Sequence, residues 1–436
     1  MALVPETLVS AHSGISSDLD NTPDASQQDF VNVNNIRGRF PGLSESTALF
    51  NNASGTVVLG DAIESASSLM RSMPMPGRSD AKSMQAISAY QDNKATVARF
   101  LNAAPDEIAF GQSTTCLFRL LGISLRHLLN SDCEIICSTL CHEAMASAWI
   151  HLTRDLGVTI QWWSPSQEDA DDPTLSVDAL KLLLTPRTRI VACNHVSNVV
   201  GTLHPIRDVA RAVRQVPGCM LMVDGVACAP HRPVDVRALD VDFYCLGWYK
   251  LFGPHLATLY ASRRAQDRYM TGLNHFFVPA GSLDGKLSLG MQSFEMQSMC
   301  GPIVRYLQDS VGWEAVVEQE TRLLRIFLGY LLSRPATYRV FGRRTADPQQ
   351  RVSIVTFEVR RLQSGQVASR INARNHVRVV AGECLAPRPT RDVLRPESSE
   401  GLIRVSIVHY NTVREARLLC RELDTVVAEM QAEAAP

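Results

Sequence analysis

A lysine and an aspartate frame the chemistry this sequence can do. Asp224 closes the apolar run LMVD, and 26 residues later Lys250 stands in GWYKLFGPH. Tyr249, Leu251 and Phe252 flank the lysine, so its stem and head should be enclosed. Enclosure lowers an ammonium pKa and turns the amine into a usable nucleophile towards carbonyls. An aspartate after a strand is often only a cap. Set beside such a lysine, it could instead hold a pyridine nitrogen protonated and electron-withdrawing. A lysine Schiff base with an acid at the ring nitrogen is what pyridoxal 5′-phosphate (PLP) chemistry takes from a protein.

Other residues extend the set. GQSTTCLFRLL places Ser113, Thr114 and Thr115 at a strand-to-helix turn, where hydroxyls and free amides either cap the helix or hold a phosphate dianion. His142 opens the helix after CSTLC, a structural position or one flat over a cofactor ring. Arg404, in GLIRVSIVHY, is either a surface ion-pair residue or a bidentate clamp for an amino-acid carboxylate.

The elements that must position these groups alternate along the chain. EIAFG, CEIICSTL, TIQWWS, RIVACNHVS, CMLMVD, VDFYCLGWYK and ATLYAS read as strands, and helical patterns separate most of them. Near-continuous apolar strands indicate an α/β fold with a mostly parallel, seven-stranded sheet covered on both faces. Ligands on such sheets sit outside the strands' carboxyl ends. Residues 111–115, His142, 195–198, 224–231 and 248–250 should therefore converge. A long helical stretch, GPIVRYLQDSVGWEAVVEQETRLLRIFLGYLL, leads into RVSIVTFEV, HVRVVAGE and LIRVSIVHY, which alternate like half-exposed strands. The expected organisation is a disordered lead-in over 1–30, a large domain over 31–310 and a smaller α+β domain over 311–436.

Composition closes off other classes. The chain has 436 residues, 45% hydrophobic and 20% charged, as expected of a globular enzyme. With 43 Lys+Arg against 44 Asp+Glu, neither nucleic acid nor an acidic membrane is an expected partner. No apolar run is long enough for a bilayer span, and the start lacks a secretory pattern, so a cytoplasmic setting is expected. Eleven scattered cysteines form neither a metal-ligand pattern nor a disulfide framework, and no metal is expected.

In order, FNNASGTVV, FGQSTTCLF, STLCHEA, NHVSNVVGT, the Asp224 and Lys250 segments and IRVSIVHYNT resemble the class V aminotransferase family, in its cysteine desulfurase-like group of PLP enzymes. The resemblance runs from about residue 40 to about 423 and implies PLP fold type I and a homodimer. It implies that Lys250 forms the Schiff base and moves the proton at Cα, and that Asp224 pairs with the ring nitrogen. His142 would stack on the ring as a catalytic residue, Thr114 and Thr115 would hold phosphate, and Asn198 would lie near the phenolic oxygen or the substrate. Arg404 would take the α-carboxylate. Within the family, NNASGTVVL, VDGVACAPHRPVDV and CLAPRPT are similar to a fungal decarboxylative aldolase of secondary metabolism. Such an enzyme removes the side-chain carboxylate of L-aspartate and adds the remaining carbon nucleophile to an aldehyde, giving a γ-hydroxy-α-amino acid. Bound aspartate carries a second carboxylate, for which Asn52, His231 and Arg391 are candidates. A cysteine desulfurase and a Mannich-type PLP cyclase are the alternatives.

The departures from the family pattern matter. The Ser-Gly-His-Lys run of desulfurases is here Gly247-Trp248-Tyr249-Lys250, and Ala227 stands where a Gln or His often follows the aspartate. The Gly-Thr that reaches a second subunit's phosphate is Gly290-Met291, followed by Gln292. Cys384, in VVAGECLAPRP, lies near the position of the desulfurases' sulfur-accepting cysteine, but without their His-rich loop. A packing or substrate-pocket role is expected for it, since a nucleophilic thiol needs an accessible, electropositive setting.

Overall fold

The computed structural model describes residues 29–72, 80–165, 170–274, 281–290 and 292–434. The expected lead-in therefore lies outside the described residues except for Asp29 and Phe30, and so does Met291. In chain order the strands are β1 (Ala48–Leu49), β2 (Ile108–Gly111), β3 (Glu134–Ser138), β4 (Thr159–Trp163), β5 (Thr188–Asn194), β6 (Met220–Asp224), β7 (Phe243–Gly247), β8 (Ala257–Ala261), β9 (Tyr338–Phe341), β10 (Ile354–Val359), β11 (Val377–Arg378), β12 (Val380–Gly382) and β13 (Leu402–Ser406).

Strands β2 to β8 build one mixed, mostly parallel sheet in the order β2-β8-β7-β6-β5-β3-β4, with β8 antiparallel to both neighbours. Every residue of β3, β6, β7 and β8 is buried, as a sheet covered on both faces requires. Helices Thr114–Leu125 and Glu143–Leu156 cover one face, packing Phe118, Leu121, Met145 and Trp149 onto Ile135, Ala192 and Met222. Val97 and Ala98 from helix Ala81–Phe100, with Val209 and Val213 from helix Ile206–Val213, cover the other. This is the α/β fold expected from the strand pattern.

A second, antiparallel sheet has the order β12-β13-β10-β9 and packs against helices Trp313–Leu332, Ser364–Ala373 and Val413–Glu433. Three expectations need correction here. The long helical stretch is broken: helix Cys300–Arg305 passes into a π-helical turn, Tyr306–Val311, and Gly312 at φ +81 starts the next helix afresh. The run HVRVVAGE divides between β11, parallel to β1, and β12, antiparallel to β13. β10 and β13, expected to be half-exposed, are buried along their whole length, and Ala48 and Phe50, in and beside β1, join the same core. Burial outweighs chain order, because a two-residue strand is stable only where a core receives its side chains. Among the described residues, no helix is long and apolar enough to cross a membrane.

Candidate active site

Strand ends place the chemistry. Asp224 is the last residue of β6, His142 follows β3, Asn198 lies beyond β5, and Ser113–Thr115 follow β2. Lys250 ends the 3₁₀ turn Trp248–Lys250 directly after β7. β2 and β7 both run antiparallel to β8, so their carboxyl ends share one edge. The aspartate must be followed by a glycine, because a Cβ at Gly225 would run into the Tyr244 ring.

Lys250 is only 6% exposed, yet among the described residues its amine takes part in no hydrogen bond or ion pair. Its Nζ lies 5.6 Å from the centre of the Tyr249 ring. Burial lowers its pKa to about 8, helped by the Arg404 cation and opposed by Asp224 and Cys384. Burial raises the Asp224 carboxyl, against the Val226 N–H, 3.0 Å from Oδ1, and the Lys250 charge. Oδ2 receives no donor from the described residues. His142 is the N-cap of its helix, with Nδ1 accepting from the Ala144 N–H at 3.0 Å. Burial, then Lys250 and Arg404, brings its pKa down to about 3. The imidazole is therefore neutral, with its proton on Nε2.

Arg404, on β13, is buried where the two sheets meet. Nη1 donates to the Asn198 carbonyl at 2.9 Å and Nη2 to the Ser54 hydroxyl at 2.7 Å, while Nε has no acceptor among the described residues. Asn198 Nδ2 donates to the Cys384 carbonyl at 3.0 Å. Cys384 and Leu385 both have positive φ, +52 and +53, and the Leu385 carbonyl accepts from the Glu143 N–H, beside His142. Lys250, Asp224, His142, Asn198, Arg404 and Cys384 thus come together. Tyr249 joins them half-buried, its ring stacked on His255 at 5.6 Å, and Ala227 is buried three residues beyond Asp224. At the turn after β2, the Ser113 hydroxyl oxygen accepts from the Cys116 N–H and keeps its own hydrogen to donate, beside Thr114, Thr115 and the helix amides.

Three candidates are not available to a second carboxylate. Asn52 spends its amide on the Ser406 carbonyl at 2.8 Å and the Leu49 carbonyl at 3.1 Å, and it accepts from the Tyr410 hydroxyl. His231 is held by Glu320 at 2.8 Å, and Arg391 pairs with Glu383 on the surface. Sequence reasoning missed Ser54, which steadies Arg404; its signal was the NNASG turn around it.

This donor set fits PLP. An enclosed amine without a counter-ion suits a carbonyl, a buried carboxylate oxygen without a donor suits a ring N–H, and a neutral imidazole suits a ring face. The aminotransferase class-V family model matches residues 48–419. The chain belongs to the class V aminotransferase family. Within that family of PLP enzymes, the cysteine desulfurase-like protein ustD of Aspergillus flavus is 66% identical, over 92% of each chain. The nonribosomal peptide synthetase-like enzyme fsqF of Aspergillus fumigatus is 54% identical over 91% of this chain, which spans 27% of that protein. The apo cysteine desulfurase of Thermococcus onnurineus NA1 superposes with a TM-score of 0.81 at 20% identity, covering 91% of this chain and 98% of that one. That likeness shows the fold, PLP fold type I, which the class V aminotransferase motifs implied.

Proposed function

We propose that this chain is a PLP-dependent decarboxylative aldolase: L-aspartate loses its β-carboxylate as carbon dioxide, and the freed carbon bonds to an aldehyde, giving a γ-hydroxy-α-amino acid. PLP, when bound, supplies the electron sink for both the Cα–H and the Cβ–carboxylate bond electrons. Lys250 would hold the cofactor and carry the proton at Cα. With its pKa at about 8, about a tenth of the lysine is free amine at pH 7. Arg404 would bind the α-carboxylate through Nε and the free Nη hydrogens, while Ser54 and the Asn198 carbonyl fix its plane. His142 would cover the ring face and exclude water.

The observation that carries the reading is that Arg404 is ready for one of the substrate's carboxylates, while the three candidates for the other are engaged elsewhere among the described residues. Those three are Asn52, His231 and Arg391. A β-carboxylate left without a cation in an enclosed site is poorly solvated, which favours its departure as neutral carbon dioxide. Gly247, Trp248 and Tyr249, in place of the desulfurases' polar run, also support a changed reaction; Trp248 spends its indole N–H on Thr258 at 2.9 Å. A homodimer belongs to the proposal, as does a reducing, cytoplasmic setting, supported by eleven free cysteines.

A second reading, cysteine desulfurase, draws on Cys384, whose carbonyl accepts from Asn198 Nδ2 in the same cluster. One assay separates the two. The purified chain should be yellow, with visible absorbance lost in Lys250→Ala, and should turn L-aspartate plus an aromatic aldehyde into carbon dioxide and a new amino acid. Sulfide from cysteine, abolished in Cys384→Ser, with no turnover of aspartate, would replace the aldolase with the desulfurase.

A further inference from the structure

Strands β5 and β6 end side by side, with Asn194 in register with Asp224. Paired residues on adjacent strands lie about 4.8 Å apart. Two residues earlier, Ala192 and Met222 pack under the helices of one face, while Cys193 and Val223 point to the other. The alternation puts the Asn194 and Asp224 side chains on the same face, at the edge where Lys250 and His142 stand.

Asn194 is 3% exposed, and neither its Oδ1 nor its Nδ2 has a partner among the described residues. A buried amide making none of its hydrogen bonds is rare in a folded chain and calls for a partner that it meets in another state of the site. Beside it, Asp224 has one oxygen on the Val226 N–H and the other without a donor. The nearby thiols do not serve: Cys141 Sγ turns to the Ala192 carbonyl and to Met145 Sδ.

We propose that Asn194 is a positioning residue for Asp224: with the cofactor bound, its amide N–H holds the aspartate, directly or through one ordered water, as the anion that meets the ring nitrogen. This rests on the PLP reading above. The need for it comes from Lys250. Burial works against the Asp224 anion, and only the Val226 N–H and the lysine charge offset it. Once Lys250 is committed to the cofactor, its ammonium no longer faces the aspartate, and an amide donor in register can keep the carboxylate ionised and aimed at the ring nitrogen. The titratable groups around Asp224 are Lys250, Cys141, Cys193, Cys245, Tyr244, Tyr249 and His142, the last already neutral through burial. Burial holds the thiols and phenols neutral at ordinary pH, so only Lys250 and Asp224 itself would titrate.

The test uses the full chain reconstituted with PLP, comparing wild type, Asn194→Ala and Asn194→Ser. In Asn194→Ala the dissociation constant for PLP should rise about tenfold, the cost of one lost hydrogen bond to a buried charge. The pH at which the bound cofactor's visible spectrum titrates should also move. Asn194→Ser, which keeps one donor, should stay within about threefold of wild type. The cofactor-free Asn194→Ala chain should melt no lower than wild type, because a purely structural amide is the case that would lower it. Unchanged affinity and titration in Asn194→Ala overturn the proposal, as does a cofactor-free variant that melts lower or does not fold. A wild-type chain that takes up no PLP sinks the function itself; one that takes it up while the variants bind alike sinks only the role of Asn194.

Discussion

Lys250 owes its lowered pKa to what surrounds it more than to any single bond. Burial lowers its pKa to about 8, and the Arg404 cation adds to the effect. Below that pH the group is mostly ammonium and cannot attack a carbonyl. The rate of PLP uptake by the cofactor-free chain should therefore climb with pH and level off above about 8. In Arg404→Gln a cation is removed, so the levelling should move to higher pH. Stopped-flow absorbance checks this, and a pH-independent rate would refute it. Lys250, Asp224 and His142 were legible in the sequence because each ends an apolar strand or opens the helix after one, and strand ends on such a sheet meet at one edge. Asn52, His231 and Arg391 were not, because polarity names a side chain's needs but not what meets them. Glu320, which holds His231, comes 89 residues later on a helix of another unit.

At the scale of elements, apolar runs revealed the strands of the large sheet, most plainly β6, β7 and β8, which are buried along their whole length, and least plainly β4, whose Thr159 is exposed. The small unit was harder to read. VRVVAG is continuous in sequence, yet Val379 hands the chain from a pairing with β1 to one with β13. The break at Gly312 left only a glycine within a helical pattern as its sign. Its backbone, at φ +81 and ψ 142, is one that glycine alone adopts freely, and a Cβ there would meet nothing within 4 Å. Gly312→Ala should accordingly cost about 1–3 kcal/mol through backbone strain alone. Urea unfolding measures it; an unchanged midpoint would mean that the helix runs on without the break.

For the whole molecule, the stretch from Ala48 to Leu59 joins both sheets to the site. Phe50 fills the small core, Ser54 meets Arg404, the Thr56 N–H reaches the Tyr249 carbonyl at 2.9 Å, and the Leu59 N–H reaches Phe252. Burial of Phe50 alone is worth about 1.5–3 kcal/mol. A chain lacking residues 29–58 should lose PLP absorbance and become protease-sensitive in the small unit, while wild-type colour and resistance would contradict this. β1 also finds its strand partner, β11, near the opposite end of the chain. During synthesis, early residues must wait for late ones, and closing so long a loop is among the slowest steps a chain can take. The large sheet draws its strands from residues 108–261 and is local by comparison, whereas the floor beneath Arg404 waits for β1 and β11 to meet. The Arg404 side of the site thus depends on a contact between residues more than 300 positions apart, while the Asp224 and Lys250 side is set within the large sheet.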